Sequence, residues 1–156
     1  MTIERIRGSC LCGSVRYEFN GPLLSFNYCH CSRCRKATGS AHASNIFVVP
    51  SQFKWKKGEE LVARYDLPEA KSFAVCFCST CGTPLPHATR SGKAIVIPVG
   101  SVDEDPEVRP ERNIFWDSRA PWFLETGGLP RHSEYAPAGS QLASSRGNDS
   151  ISKGST

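Results

Sequence analysis

The sequence predicts an all-β domain with short irregular segments, and three observations support this prediction. Short stretches alternate apolar and polar side chains, which is the period of a strand that is buried on one face. Glycine, proline and asparagine recur between these stretches and indicate turns. No stretch shows a long helical period, and seven of the eight cysteines fall in three short clusters with the spacing of metal ligands.

The predicted strands follow one another along the chain with turns between them. They are 15–19, 23–28, 44–49, 53–56, 61–65, 72–77, 94–99 and 114–116. Residues 35–40 are polar and are predicted to form a loop or one helical turn that ends at Gly39, since glycine favours the left-handed conformation after a helix. Strands 53–56 and 61–65 are predicted to pair as a hairpin, because only a short polar connection separates them.

A change of composition near Pro137 sets the predicted domain boundary. Residues 1–136 contain all the predicted strands and all the cysteine clusters, so they are predicted to form one zinc-binding domain. Residues 137–156 are rich in Ala, Ser, Gly, Asn and Lys and contain few large apolar side chains. They are therefore predicted to form a disordered tail.

The overall composition excludes some classes of protein. The chain has no apolar run long enough to span a membrane, and its first residues do not resemble a secretory signal. We therefore expect a cytoplasmic protein, in which reduced cysteines favour metal binding over disulfides. The formal net charge is +4, but seven thiolates and two Zn²⁺ ions would lower it to about +1. Nucleic acid is accordingly not a predicted partner.

Two of the cysteine clusters can join into one closed metal site. Cys10 and Cys12 form a C-x-C pair, Cys78 and Cys81 form a C-x-x-C pair, and each pair is followed by glycine. Together they predict a site of four thiolates, which has no room for a substrate and serves folding. A different pairing of the clusters, or a set of buried reduced cysteines without metal, is the alternative.

The third cluster supplies one ligand fewer. Cys29, Cys31 and Cys34 form a C-x-C-x-x-C pattern, and three thiolates leave the fourth position of a tetrahedral metal open. An open position is typical of catalytic zinc sites, so these three cysteines are predicted to be catalytic as well as metal-binding. His30 must point away from the metal if both neighbouring sulfurs bind. It is predicted to be a hydrogen-bonding residue or substrate contact, and the candidate for proton transfer.

Several other residues have two interpretations. Cys76 is either a small core residue or a fourth ligand or redox partner of the open site. His42 and His87 could each fill the fourth position, although an ordinary surface or hydrogen-bonded histidine is the simpler interpretation.

The cations beside the open site also have two interpretations. Arg33, Arg35 and Lys36 offset thiolate charge, or they bind a substrate that carries a carboxylate. The aromatic side chains of Trp116, Trp122 and Phe123 are predicted to serve packing rather than to form a ligand pocket.

Three motifs, in this order, resemble a known family. They are G-S-C-L-C-G-S-V-R-Y-E (8–18), C-H-C-S-R-C-R-K-A-T-G (29–39) and F-C-S-T-C-G-T-P-L (77–85). They are similar to the glutathione-dependent formaldehyde-activating enzyme family, which shares its domain with centromere protein V. The later segments S-R-A-P-W (118–122) and G-L-P (128–130) also resemble its C-terminal part, so the resemblance covers residues 5–135.

The resemblance implies a β-tent fold of small antiparallel sheets around zinc. It implies a structural zinc at the four-cysteine site and a more labile zinc at the three-cysteine site. It also implies a carbon–sulfur lyase that joins formaldehyde to glutathione, similar to an S-(hydroxymethyl)glutathione synthase, or that catalyses the reverse reaction. The predicted partner is therefore a small thiol such as glutathione, and a homodimer is an open alternative for the assembly.

These observations favour a zinc-dependent lyase that acts on adducts of a thiol and an aldehyde. One alternative is a non-enzymatic, zinc-stapled binding module that uses the cations after Cys34 and the aromatic turn. Another is a thiol or metal sensor that uses labile zinc and Cys76.

Overall fold

The structure is a computed structural model that describes residues 3–139. Within this range the chain forms eleven short strands and one helix. The elements are β1 (Ile6–Ser9), β2 (Arg16–Phe19), β3 (Ser25–Cys29), α1 (Ser32–Thr38), β4 (Ala43–Val48), β5 (Phe53–Lys57), β6 (Val62–Asp66), β7 (Ala74–Cys78), β8 (Pro84–Leu85), β9 (His87–Ala88), β10 (Ile95–Pro98) and β11 (Arg112–Ile114).

The strands form three small sheets. Sheet A has the order β1-β2-β5, sheet B has the order β11-β3-β4-β10-β9, and sheet C has the order β6-β7-β8. Neighbouring strands are antiparallel apart from β11, which pairs in parallel with β3. The predicted all-β class with small antiparallel sheets is therefore confirmed.

The predicted hairpin between strands 53–56 and 61–65 is wrong. β5 pairs with β2 in sheet A, whereas β6 pairs with β7 in sheet C. Gly58 has the left-handed φ of 72°, and a 3₁₀ turn over Glu59–Leu61 follows it. This turn redirects the chain from one sheet to another, so two strands that are adjacent in the sequence belong to different layers.

The helix is the short element that the sequence predicts after the third cysteine cluster. It ends at Gly39, which has φ 62° and donates its N–H to the carbonyl of Arg35. Arg35 and Lys36 lie in its last turn, where their positive charges interact favourably with the partial negative charge of the helix end.

Sheet B separates the core from a cavity. In β4, Ile46 and Val48 are fully buried in the core, and such burial stabilises the fold by about 1.5–3 kcal/mol for each large apolar side chain. Side chains alternate between the two faces of a strand. Accordingly, Asn45 and Phe47 of the same strand line the cavity on the opposite face.

The chain divides into two compact units, Met1–Phe123 and Leu124–Thr156. All eleven strands of the described range belong to the first unit. The described part of the second unit contains a 3₁₀ turn over Thr126–Gly128. The predicted boundary at residue 136 stays a prediction, and most of the predicted disordered tail, residues 140–156, lies outside the described residues.

None of the helices in the described part of the chain is both long enough and apolar enough to cross a bilayer.

Candidate metal centres and an adjoining cavity

The four-cysteine site lies where sheet A meets sheet C. Cys10 and Cys12 occupy the turn between β1 and β2, while Cys78 ends β7 and Cys81 lies in the turn before β8. Each pair is followed by a glycine with positive φ, 72° at Gly13 and 75° at the glycine after Cys81. The structure brings together the four cysteines whose spacing predicted one shared site.

The spacing of the four sulfur atoms fits a tetrahedral metal ion. All four lie within 4.8 Å of one another, with 3.5 Å between Cys10 Sγ and Cys12 Sγ and 4.0 Å between Cys12 Sγ and Cys78 Sγ. Four thiolates at about 2.3 Å from Zn²⁺ would place their sulfurs roughly 3.8 Å apart. The site can therefore hold a metal ion without rearrangement of its turns.

Thr83 connects the two cysteine pairs, and the sequence analysis missed it. Its Oγ1 accepts the backbone N–H of Leu11 at 2.9 Å and lies 3.2 Å from Cys81 Sγ, to which the hydroxyl can donate. This hydrogen bond is the main reason why the pKa of Cys81 falls to about 5. A hydroxyl two residues after the last ligand of a C-x-x-C turn was the signal that could have identified it.

The three-cysteine site is built by one strand end and one helix start. Cys29 ends β3, Cys31 is the N-cap of α1, and Cys34 lies in the first turn of that helix. Cys31 Sγ accepts the backbone N–H of Cys34 at 3.4 Å. The three sulfurs lie within 4.8 Å of one another, so they can hold a metal ion as predicted from their spacing.

The local electrostatics of this cluster favour one ionised sulfur. The pKa of Cys29 falls to about 6, mainly because the Cys34 side chain donates a hydrogen bond to its thiolate. The same interaction, together with burial, raises the pKa of Cys34. A thiolate is the ligand form that a metal requires. One of the three sulfurs, that of Cys29, is therefore available as a metal ligand near neutral pH.

No fourth protein ligand joins this cluster within the described range. Cys76, His42 and His87, which the sequence offered as candidates, all lie outside the group of three sulfurs. Cys76 is buried in the middle of sheet C, and burial raises its pKa. His42 stacks on Tyr28 with a ring-centroid distance of 4.2 Å. A metal ion held by these three sulfurs would therefore have a fourth position that no residue of the described range fills.

His30 points away from the cluster, as its position between two ligands predicted. Its side chain is fully buried, and its Nε2–H donates a hydrogen bond to Asn113 Oδ1 at 2.9 Å. Trp116 and Phe123 pack edge-on against the imidazole at 5.0 and 5.1 Å between ring centroids. Both of these aromatic residues thus serve packing, whereas Trp122 is mostly exposed.

A cavity of about 800 Å³ adjoins the three-cysteine site. Cys29, Cys31 and Cys34 all line it, one face of sheet B contributes Asn27, Asn45 and Phe47, and sheet C contributes apolar side chains. This volume lies within the usual range of about 300–1,000 Å³ for small-molecule sites. Of the two histidines that the sequence offered as a fourth ligand, His87 lines this cavity and His42 does not.

The three predicted substrate-binding cations occupy different positions. Arg33 is exposed and lines the cavity. Arg35 and Lys36 do not line it, and they lie in the last turn of α1. Among the three, Arg33 is the one that can reach a ligand beside the cysteines.

In a comparison with known proteins, one family model matches most of the described chain. A family model described as glutathione-dependent formaldehyde-activating enzyme matches residues 5–118, a range that includes both cysteine sites. A crystal structure of a Rhodobacter sphaeroides protein is similar, with a TM-score of 0.53 and 25% sequence identity. The similarity covers 69% of this chain and 99% of that chain. No curated protein matches the chain.

Proposed function

Because the chain belongs to the glutathione-dependent formaldehyde-activating enzyme family, we propose that it is a zinc-dependent carbon–sulfur lyase. Its substrate would be the adduct of a small thiol, such as glutathione, and formaldehyde or a similar small aldehyde. One observation carries the proposal: three cysteine sulfurs, which no fourth protein ligand joins among residues 3–139, line a cavity of about 800 Å³. In the forward direction the thiol sulfur bonds to the aldehyde carbon, and the thiol proton ends on the aldehyde oxygen.

Each site would hold one ion in a different role. Cys10, Cys12, Cys78 and Cys81 would hold a structural Zn²⁺ with no open position. Cys29, Cys31 and Cys34 would hold the second Zn²⁺, which when bound keeps the sulfur of a thiol substrate in the thiolate form.

The chain's own residues would orient and shield the substrate. The apolar side chains of sheets B and C would pack against the substrate and reduce its contact with water. Arg33 at the cavity would bind a carboxylate of the thiol through its planar guanidinium. The proton-transfer role predicted for His30 stays a prediction. Its burial and its bond to Asn113 favour a positioning role for the turn between Cys29 and Cys31.

Zinc content and turnover measured together test this proposal. The wild-type protein is expected to bind two Zn²⁺ ions, and Cys34→Ser is expected to retain one and to lose the accelerated equilibration of formaldehyde with glutathione. Cys76→Ser is the matched control, because Cys76 belongs to neither cluster, and it should retain both ions. A Cys34→Ser protein with two zincs and unchanged thiol turnover would show that the proposal is wrong.

A thiol sensor is the second candidate, because Cys76 lines the same cavity as the three-cysteine site. Mild oxidation by peroxide would join Cys76 to one of the three cysteines in a disulfide, with two thiols oxidised and the peroxide reduced to water. Peptide mapping after oxidation, with zinc release followed in parallel, tests it. An unmodified Cys76 after full zinc release would exclude this role.

We also propose a reducing location such as the cytoplasm. All eight cysteines, each within residues 3–139, are free thiols.

A further inference from the structure

Phe115 combines a strained backbone with an exposed aromatic ring. Its φ of 55° and ψ of 41° are left-handed, a conformation that a residue with a bulky side chain rarely adopts. Within residues 3–139, Glu107 is the one other non-glycine residue with positive φ. Phe115 is 63% exposed, so packing in the core does not explain an aromatic residue at this position. Strain of this kind is found mainly at functional sites.

The backbone on both sides of Phe115 is held against the three-cysteine loop. Ile114 pairs with Cys29 between β11 and β3, and its carbonyl accepts the N–H of His30 at 3.0 Å. Trp116 packs edge-on against the imidazole of His30, with 5.0 Å between ring centroids. The Cα atom of Phe115 therefore lies within about 9 Å of that of Cys29, by the spacing of paired strands and the length of one residue.

Phe115 extends an apolar wall that begins beside the cysteine sulfurs. Ile114 and Ala43 are the register partners of Cys29 on its two neighbouring strands. Both of them line the cavity, as do Ala37 of α1 and Phe115 itself. The two alanines are small, so they leave room beside the sulfurs, while the exposed ring of Phe115 offers apolar surface that a ligand can cover.

The proposed reaction places the substituent of the aldehyde at this wall. The thiol sulfur bonds to the carbonyl carbon, so a substituent on that carbon lies one bond from the sulfur. Formaldehyde carries only hydrogen there and would leave the wall uncovered, whereas an alkyl chain would cover it, and burial of apolar surface is favourable. Arg33 and Lys71 offer positive charge to the carboxylates of the thiol elsewhere in the cavity.

We propose that Phe115 is a specificity-determining residue whose ring contacts the alkyl substituent of the aldehyde, so that the substrates include alkyl aldehydes and their affinity rises with chain length. This inference rests on the proposed function, which places the substrate sulfur at the three-cysteine site. Phe115 contacts the substrate and takes no part in the bond changes, since the thiol proton ends on the aldehyde oxygen whatever the chain.

Inert thioethers of glutathione test the inference by equilibrium binding. S-methyl, S-ethyl, S-propyl and S-butyl glutathione carry an alkyl chain in the place of the aldehyde carbon and its substituent. Calorimetric titration of the zinc-loaded, full-length protein is expected to show about two- to fourfold tighter binding for each added methylene, the usual effect of removing one methylene from water. The kcat/KM for glutathione with ethanal, propanal and butanal should rise in the same proportion.

Variants at position 115 show whether the ring is responsible. Phe115→Asn should reduce the gain for each methylene to a factor of about one, because asparagine tolerates the left-handed backbone but offers no apolar surface. Phe115→Leu, which keeps an apolar side chain at the same backbone position, should retain most of the gain. Glu107→Asn, at φ 57° and outside the cavity, is the matched control and should retain all of it. The variants are titrated at equal zinc content.

Thermal unfolding of Phe115→Asn separates a contact with substrate from a structural role. Because the substitution relieves backbone strain and removes an exposed ring, the melting temperature is expected to stay unchanged or to rise. A fall of more than about 8 °C would show that the ring stabilises the fold instead, and it would overturn the inference.

The remaining outcomes distinguish this inference from the proposed function. Equal affinities of the wild-type protein for S-methyl and S-butyl glutathione would overturn the inference alone, and this result requires no variant to fold. An unchanged gain for each methylene in Phe115→Asn would do the same. Absence of turnover of glutathione with every aldehyde, formaldehyde included, would overturn the proposed function and the inference with it.

Discussion

At the scale of single residues, hydrogen bonds that lie outside the metal ligands determine how the cysteine clusters are held. Thr83 contacts both pairs of the four-cysteine site through one hydroxyl. Asn113 holds the imidazole of His30 between the ligands of the other site. Groups of this kind fix the orientation of ligands and so affect metal affinity without touching the metal.

Thr83→Val is expected to weaken metal binding at the four-cysteine site. The substitution keeps the shape of the side chain but removes the acceptor for Leu11 N–H and the donor to Cys81 Sγ. Loss of such a supporting bond typically lowers metal affinity by about 10–100-fold, which competition with a chromogenic chelator measures. Thr80→Val, at an exposed threonine of the same turn, is the control. Equal affinities of the two variants would contradict the role assigned to Thr83.

His87 is expected to make stability depend on pH in the acidic range. Burial, with a smaller contribution from Arg64, lowers its pKa from 6.5 to about 4. The unfolded chain therefore binds the proton first as pH falls. The stability that neutral His87 provides is complete above about pH 6.5 and is lost progressively towards pH 4.

Chemical denaturation at pH 7 and pH 5 measures this effect. The unfolding free energy of the wild type should fall by about 2 kcal/mol more than that of His87→Gln over this interval. Acid also protonates the thiolates, but this loss is common to both proteins and cancels in the difference. His132→Gln, at an exposed histidine, should follow the wild type. If the unfolding free energies of the wild type and His87→Gln fall equally between pH 7 and pH 5, His87 is not buried in its neutral form.

The two cysteine groups could be predicted from the sequence, whereas the residues that support them could not. The spacing of Cys10 and Cys12, or of Cys78 and Cys81, is itself the pattern of a metal site, so local sequence was sufficient. The contact between Thr83 and Leu11 joins residues that are 72 positions apart, and only the folded chain brings them together. The position of Asn27 could have been predicted from the sequence, because the period of a strand places it on the same face as Cys29.

At the scale of elements, short turns decide which sheet each strand joins. The segment between β5 and β6 has the length of a hairpin connection, but both strands pair with more distant partners. The residue pattern and the length of the connection predicted a hairpin. They carry no information on β2 and β7, which compete for the same backbone hydrogen bonds. The close packing of Gly58 on Ser14 is the local feature that favours the observed path.

Gly58→Ala is expected to destabilise the protein far more than Gly92→Ala. The two glycines have nearly the same positive φ, 72° and 71°, so both substitutions carry a similar backbone strain of about 1 kcal/mol. A Cβ at Gly58 would lie 2.2 Å from the backbone oxygen of Ser14, whereas one at Gly92 would meet nothing within 4 Å. Thermal unfolding should show that the free energy of unfolding of Gly58→Ala is at least about 2 kcal/mol lower than that of Gly92→Ala. Equal melting temperatures would show that the turn is free to shift.

At the scale of the whole molecule, the four-cysteine site joins sheet A to sheet C. One cysteine pair lies in the turn between β1 and β2 of sheet A, and the other lies at the end of β7 and in the turn that follows it in sheet C. A bound ion would therefore close a loop of about 66 residues between Cys12 and Cys78, and it stabilises the folded state because the unfolded chain binds it poorly.

Removal of the metal is expected to lower the stability of the whole first unit. A strong chelator should lower the melting temperature by at least about 10 °C, since binding energies of structural zinc are large relative to the stability of a small domain. Circular dichroism with and without added Zn²⁺ measures the change and its reversal. Cys81→Ser should already melt low and respond little to the chelator. If the chelator leaves the melting temperature of the wild type unchanged, the stability of the sheets does not depend on the ion.

The two cysteine sites differ in how much of the chain must exist before they can form. The three-cysteine ligands fall within six consecutive residues, from Cys29 to Cys34, whereas the four-cysteine ligands extend from Cys10 to Cys81. During synthesis from the N-terminus, Cys34 completes the local cluster 47 residues before Cys81 completes the distant one. A ribosome-bound nascent chain would therefore contain all three thiols of the local cluster before it contains all four thiols that join sheet A to sheet C.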